Sequence, residues 1–133
     1  MNAAQKPRRR FLKVITMLAV LAGSARITLA HAKLVRSSPK NGEVLAGSPG
    51  KIELWFNELL DDGVNTIQVF AADDKAKKNL LREKPRVDAK ERTHIFVNVP
   101  ALAAGTYQVE FRVLSRDGHT APGRFTFRVE PNW

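Results

Sequence analysis

Tyr107-Gln108-Val109-Glu110-Phe111-Arg112-Val113 alternates apolar and polar residues without a break, and that period of two decides the fold class. In an extended strand successive side chains point to opposite faces. Tyr107, Val109, Phe111 and Val113 therefore line one face, with Gln108, Glu110 and Arg112 on the other. A helix would scatter the same four apolar residues around its circumference. The alternation recurs outward from this stretch: Ile52, Leu54 and Phe56; Ile67 and Val69; Ile95, Val97 and Val99; and Phe125, Phe127 and Val129. Pro39, Gly42, Ser48-Pro49-Gly50, Pro100, Gly105 and Pro122-Gly123 punctuate the runs. No stretch carries a helical stripe; Leu80-Leu81 suits a turn or a short helix. Short strands at this spacing predict an all-β protein, a Greek-key immunoglobulin-like β-sandwich or barrel of about seven strands. The densely charged segment Asp73 to Arg92 reads as a solvated crossover between sheets with room for one irregular strand.

The first thirty residues read as a cleaved export signal peptide, leaving a mature domain of residues 31–133. Arg8, Arg9 and Arg10 make the charged end, and Val14 to Ala25 make an apolar run. That run is shorter than the roughly 20 residues a membrane span needs, so cleavage is expected rather than anchoring. Thr28-Leu29-Ala30 supplies a small-residue cleavage site after Ala30. Arg8-Arg9-Arg10-Phe11-Leu12-Lys13 matches a twin-arginine export pattern, and Arg26 near the cleavage site suits that route better than general secretion. Either route ends outside the cytoplasm, and the expected location is the periplasm.

Removing this leader changes the charge argument. The whole chain has 22 basic and 13 acidic residues, a net charge of +9. Lys6, Arg8, Arg9, Arg10, Lys13 and Arg26 all fall in the leader, which has no acids, so the mature chain is 16 against 13, or +3. A surface so mildly basic argues against a nucleic-acid partner. With no cysteine, disulfides and thiolate metal sites are excluded. Both methionines, Met1 and Met17, belong to the leader, so the mature chain has no soft sulfur ligand. Its 103 residues suffice for one small domain and a core of its own, and a monomer is expected.

Cleavage after Ala30 would make His31 the N-terminal residue. A free α-amine and an imidazole on one residue close a chelate ring and offer two nitrogens to Cu(II), which prefers tetragonal nitrogen and oxygen ligands. Asp117-Gly118-His119 carries a carboxylate and a second imidazole two residues apart, with a glycine that allows a tight turn between them. Each part alone is commonplace, since Asp-Gly is a frequent turn and a lone surface histidine usually has no special role. Their conjunction in a domain without cysteine or methionine makes His31, Asp117 and His119 the candidate ligands of Cu(II). His94, opposite in parity to Ile95 and Val97, is expected to face solvent and to contribute at most to a weaker second site.

These residues sit in a longer pattern: His31-Ala32-x-Leu34, Ser38-Pro39-x-Asn41-Gly42, Leu54-x-Phe56-Asn57-Glu58 and Leu102-x-x-Gly105-x-Tyr107-x-Val109. Its most specific part is Ser115-Arg116-Asp117-Gly118-His119-x-x-x-Gly123-x-Phe125-x-Phe127-x-Val129. Through nearly all of the mature chain the sequence resembles the CopC family of periplasmic copper-resistance proteins. The resemblance implies a Greek-key β-sandwich that binds Cu(II) through His31, Asp117 and His119, in copper homeostasis or resistance. It also implies a recipient of the CopD type, an inner-membrane copper transporter. Some relatives carry a methionine-rich Cu(I) site, which a mature chain without methionine cannot build.

Two other classes compete. An N-terminal histidine and a second histidine on a β-sandwich also resemble the copper brace of lytic polysaccharide monooxygenases, but oxygen chemistry needs an open equatorial position, which Asp117 would fill. No aromatic platform for a polysaccharide is evident either, with Trp55 inside a strand and Trp133 far from it in sequence. A metal-free immunoglobulin-like interaction module would bind no copper tightly. A hydrolase has less support, for nothing around Ser115 and His119 marks a nucleophile elbow.

Overall fold

The computed structural model describes residues 32–131. The leader, its cleavage site and His31 therefore lie outside the described residues. Eight strands follow in order: β1 (Leu34–Ser38), β2 (Glu43–Leu45), β3 (Lys51–Phe56), β4 (Thr66–Ala71), β5 (Arg86–Val87), β6 (His94–Asn98), β7 (Gly105–Leu114) and β8 (Thr120–Val129). They form two four-stranded sheets, ordered β1-β3-β6-β5 and β2-β8-β7-β4. The chain changes sheet at five of its seven strand connections, which makes most sheet neighbours non-consecutive, as a Greek-key sandwich requires. All pairings are antiparallel except β2 with β8.

The alternating runs put the same residues inward that the sequence pattern assigns there. Ile52, Leu54 and Phe56 of β3 and Ile95 and Val97 of β6 face Ile67 and Val69 of β4 across the core, with Tyr107, Val109, Phe111 and Val113 of β7 and Phe125, Phe127 and Val129 of β8. Burial of this apolar area, at about 25 cal/mol per Å², is the main force holding the sheets together. The three strands beyond the five alternating runs are short or exposed. β1 is exposed over much of its length, β2 has three residues, and β5, the irregular strand of the charged crossover, has two. Leu80 and Leu81 lie in irregular backbone and pack against the core.

β7 and β8 form a ten-residue ladder from Gly105↔Val129 to Leu114↔Thr120. β2 covers only Phe127 to Val129 on the far side of β8. The remaining half of β8 has an uncovered edge, where Pro122 is tolerated despite having no N–H. Gly123 is required by packing: a Cβ there would lie 2.2 Å from Phe111 Cζ. The ladder ends in the turn that carries Asp117 and His119.

One expectation fails. His94 has the parity expected, pointing away from Ile95 and Val97, yet it is only 7 % exposed. The outer face of its sheet is roofed by aromatic rings: Trp55 stacks on His94 with centroids 4.5 Å apart, and Phe96 lies 5.5 Å away. Parity sets the face of a strand but not what covers that face.

Candidate metal centre

The site is built at the end of the β7–β8 hairpin. Leu114 ends β7, and Ser115 is held by an isolated bridge to Leu60. Ser115 N donates to His119 O at 2.9 Å and Gly118 N to Ser115 O at 3.0 Å, closing a tight turn. Gly118 takes φ +89°, a left-handed conformation that glycine adopts at little cost. Asp117 fastens the turn through its side chain: Oδ1 accepts the His119 N–H at 3.0 Å and the hydroxyl proton of the buried Ser115. Its other oxygen, Oδ2, lies 3.2 Å from His119 Nδ1.

These contacts favour the ionised carboxylate. The Ser115 hydroxyl most of all, then the His119 backbone N–H, hold the Asp117 carboxyl well below the usual range, at about 2. Asp117 is thus a carboxylate at any pH where copper would be handled. Two of the three expected ligands, Asp117 and His119, are brought together with donor atoms at the separation that neighbouring ligands of one metal ion take.

His31, the third, lies just before the first described residue. Ala32 is buried in the core, and Lys33 is gripped in both directions by Asn57: Lys33 N donates to Asn57 Oδ1 at 2.7 Å, and Asn57 N to Lys33 O at 3.1 Å. The same segment after β3 also holds the Asp117–His119 turn. Arg116 N donates to Leu59 O at 3.0 Å, and Asp61 N to Leu114 O at 2.9 Å. Residues 57–61 therefore tie the start of the described chain to the start of the turn. Sequence reading missed the positioning roles of Ser115 and Asn57. Both were present in the motifs, but a hydroxyl or an amide next to a candidate ligand gives no signal of its own until the backbone closes around it.

His94 belongs to a separate cluster. Its Nδ1 lies 3.3 Å from Asp88 Oδ2 and its Nε2 3.3 Å from Glu53 Oε1. The Lys90 backbone N–H chiefly, and the His94 ring next, hold the Asp88 carboxyl below its ordinary value.

Comparison with known proteins identifies the family. The family model described as CopC domain matches residues 34–130. Copper resistance protein C of Pseudomonas syringae pv. tomato is 34 % identical over 119 residues, covering 87 % of this chain and 94 % of that protein. Copper transport protein CutJ of Bacillus subtilis is 26 % identical over 118 residues, covering 86 % of this chain but only 21 % of that longer protein. Among solved structures, CopC from Methylosinus trichosporium OB3b superposes with a TM-score of 0.70 at 32 % identity, over 77 % of this chain and 97 % of that one. PcoC from Escherichia coli, a methionine-rich copper resistance protein, gives 0.64 at 29 % identity, over 76 % and 100 %. With its sandwich, its hairpin turn and nearly all of its described residues matched, this chain belongs to the CopC family.

Proposed function

We propose that the exported chain is a periplasmic Cu(II)-binding protein of copper homeostasis or resistance, and that it sequesters the ion or delivers it to a CopD-like inner-membrane transporter. The ligands are the α-amine and imidazole of His31, the Asp117 carboxylate and the His119 imidazole. Copper is cargo here, not a resident cofactor. The observation that carries the reading is the Asp117–His119 pair, 3.2 Å apart on a turn pinned by a buried serine. Two further features support it. The names of the relatives are those of copper resistance and transport proteins, and Lys33, two residues from His31, is anchored to the segment that also holds the turn. Two residues of extended chain reach about 7 Å, so the anchoring confines where an N-terminal His31 can go. An ionised Asp117 in the copper plane gives a filled site suited to holding the ion rather than to oxygen activation.

The test compares two proteins in a Cu(II) titration followed by electron paramagnetic resonance: one beginning at His31, the other with one extra Gly before it. Tight binding by the first alone supports the amine–imidazole chelate. Equal tight binding removes the His31 amine from the ligand set, and weak binding by both favours a metal-free interaction module. The site needs a free amine and neutral imidazoles, so affinity falls below about pH 6. Unchanged affinity at pH 4.5 would overturn the ligand assignment.

A further inference from the structure

Asp88, Glu91 and His94 come from one seven-residue stretch joining β5 to β6, and one donor atom from each lies within 4.8 Å of the other two. The loop is folded back on itself: Asp88 N donates to His94 O and His94 N to Glu91 O, both at 2.9 Å. Lys90 N donates to Asp88 Oδ1, also at 2.9 Å, which leaves Oδ2 for the ring of His94. The imidazole is held by Trp55 stacked almost parallel to it, 9° between planes, with Phe96 beyond. His94 is one of only two buried polar residues among those described, and its Nε2, out of contact with solvent, has no aligned hydrogen bond.

We propose that Asp88, Glu91 and His94 form a second metal site, distinct from the copper turn, for a four-coordinate divalent cation of the zinc type, with water as the fourth ligand. Zinc takes nitrogen and carboxylate oxygen at about 2.0–2.2 Å in a tetrahedron, so two of its ligands stand about 3.3–3.5 Å apart. The 3.3 Å between His94 Nδ1 and Asp88 Oδ2 fits that edge. Glu91 is exposed, and its side chain is free to close the remaining distance of the 4.8 Å triangle. A metal on Nδ1 places the ring proton on Nε2, and the Glu53 carboxylate 3.3 Å away stands where the outer carboxylate of a metal-bound histidine is commonly found. The alternative is an imidazolium clamped between Glu53 and Asp88 purely for the fold; it gives Glu91 no part.

The experiment uses the exported chain, residues 31–133, carrying His119→Ala to weaken the copper turn and Trp133→Phe to leave Trp55 as the sole indole. Calorimetry with Zn(II) should show one equivalent, weakened at least about tenfold by Asp88→Asn and by Glu91→Gln. Paramagnetic Co(II), added in place of zinc, should quench Trp55 fluorescence with the same dependence on the two residues. Glu91→Gln alters an exposed side chain, so circular dichroism should show its fold unchanged. Absence of zinc binding, or binding and quenching indifferent to both substitutions, overturns the proposal. Either result leaves the His31 copper reading untouched, because that reading rests on the Cu(II) titration of the unmutated turn.

Discussion

At the scale of single residues, the proposed copper turn depends on a hydroxyl that is not itself a proposed ligand. Ser115 is 2 % exposed and gives its proton to Asp117 Oδ1. Replacing it with Ala leaves the carboxylate less well oriented, and loss of such an outer partner costs about 10–100-fold in metal affinity. Calorimetric Cu(II) titration of Ser115→Ala should show a loss in that range. Asp117→Ala and His119→Ala should each lose more, because each removes a proposed direct ligand. His94→Ala should leave the first Cu(II) equivalent unchanged while lowering the melting temperature, since it empties a buried stack. The acid behaviour of the copper-free protein follows from the same turn. The Asp117 carboxyl sits at about 2 in the fold against an ordinary value of 3.8. The stability it contributes is therefore complete above the unfolded value and is lost as pH falls through 2. Asp117→Asn should melt below the parent at pH 6, and the two should converge as pH approaches 2 in a series of thermal melts. A gap that stayed constant across that range would mean that the turn does not depend on the charge.

At the scale of elements, the β7–β8 hairpin is both the longest ladder of the sandwich and the holder of the candidate site. Its register is locked where Phe111 lies over Gly123. Gly123→Ala must push the ring or the strand aside, an overpacking that costs about 1–3 kcal/mol. Chemical denaturation should show that loss, together with weakened Cu(II) binding if the shift reaches the turn. Ala at Gly47, where an added Cβ meets nothing within 4 Å, is the control and should be close to neutral. The β5–β6 loop shows how far a pattern of alternation reaches. The period of two correctly sends His94 to the outer face, but the rings that cover it come from β3 and from two residues further along β6. Trp55 reaches His94 only because the two are paired across β3 and β6.

At the scale of the whole molecule, one core joins the two sheets of the described residues, and the Asp117–His119 turn is part of that unit. Phe127, 1 % exposed on β8, packs beside Tyr107 with ring centroids 5.6 Å apart. Phe127→Ala should cost about 3–5 kcal/mol, in a single cooperative transition whose midpoint is the same by far-UV and near-UV circular dichroism. Divergent midpoints would mean that the sheets unfold separately. The chain's own residues determined much of this protein. Apolar alternation depends only on neighbours along a strand, so the all-β class, the inward faces of β3, β4, β6, β7 and β8 and the pairing of Asp117 with His119 across one glycine were legible without coordinates. The short strands β1 and β2 were not, because their residues extend only where a neighbouring strand offers hydrogen bonds. Tertiary structure alone decided that Ser115 would be buried beneath Asp117, that Asn57 would grip Lys33, and that a histidine on an outer face would be sealed by two aromatic rings. Each of those depends on which strands become neighbours, and neighbourhood across sheets is set by the packing of the whole sandwich rather than by any local stretch of sequence.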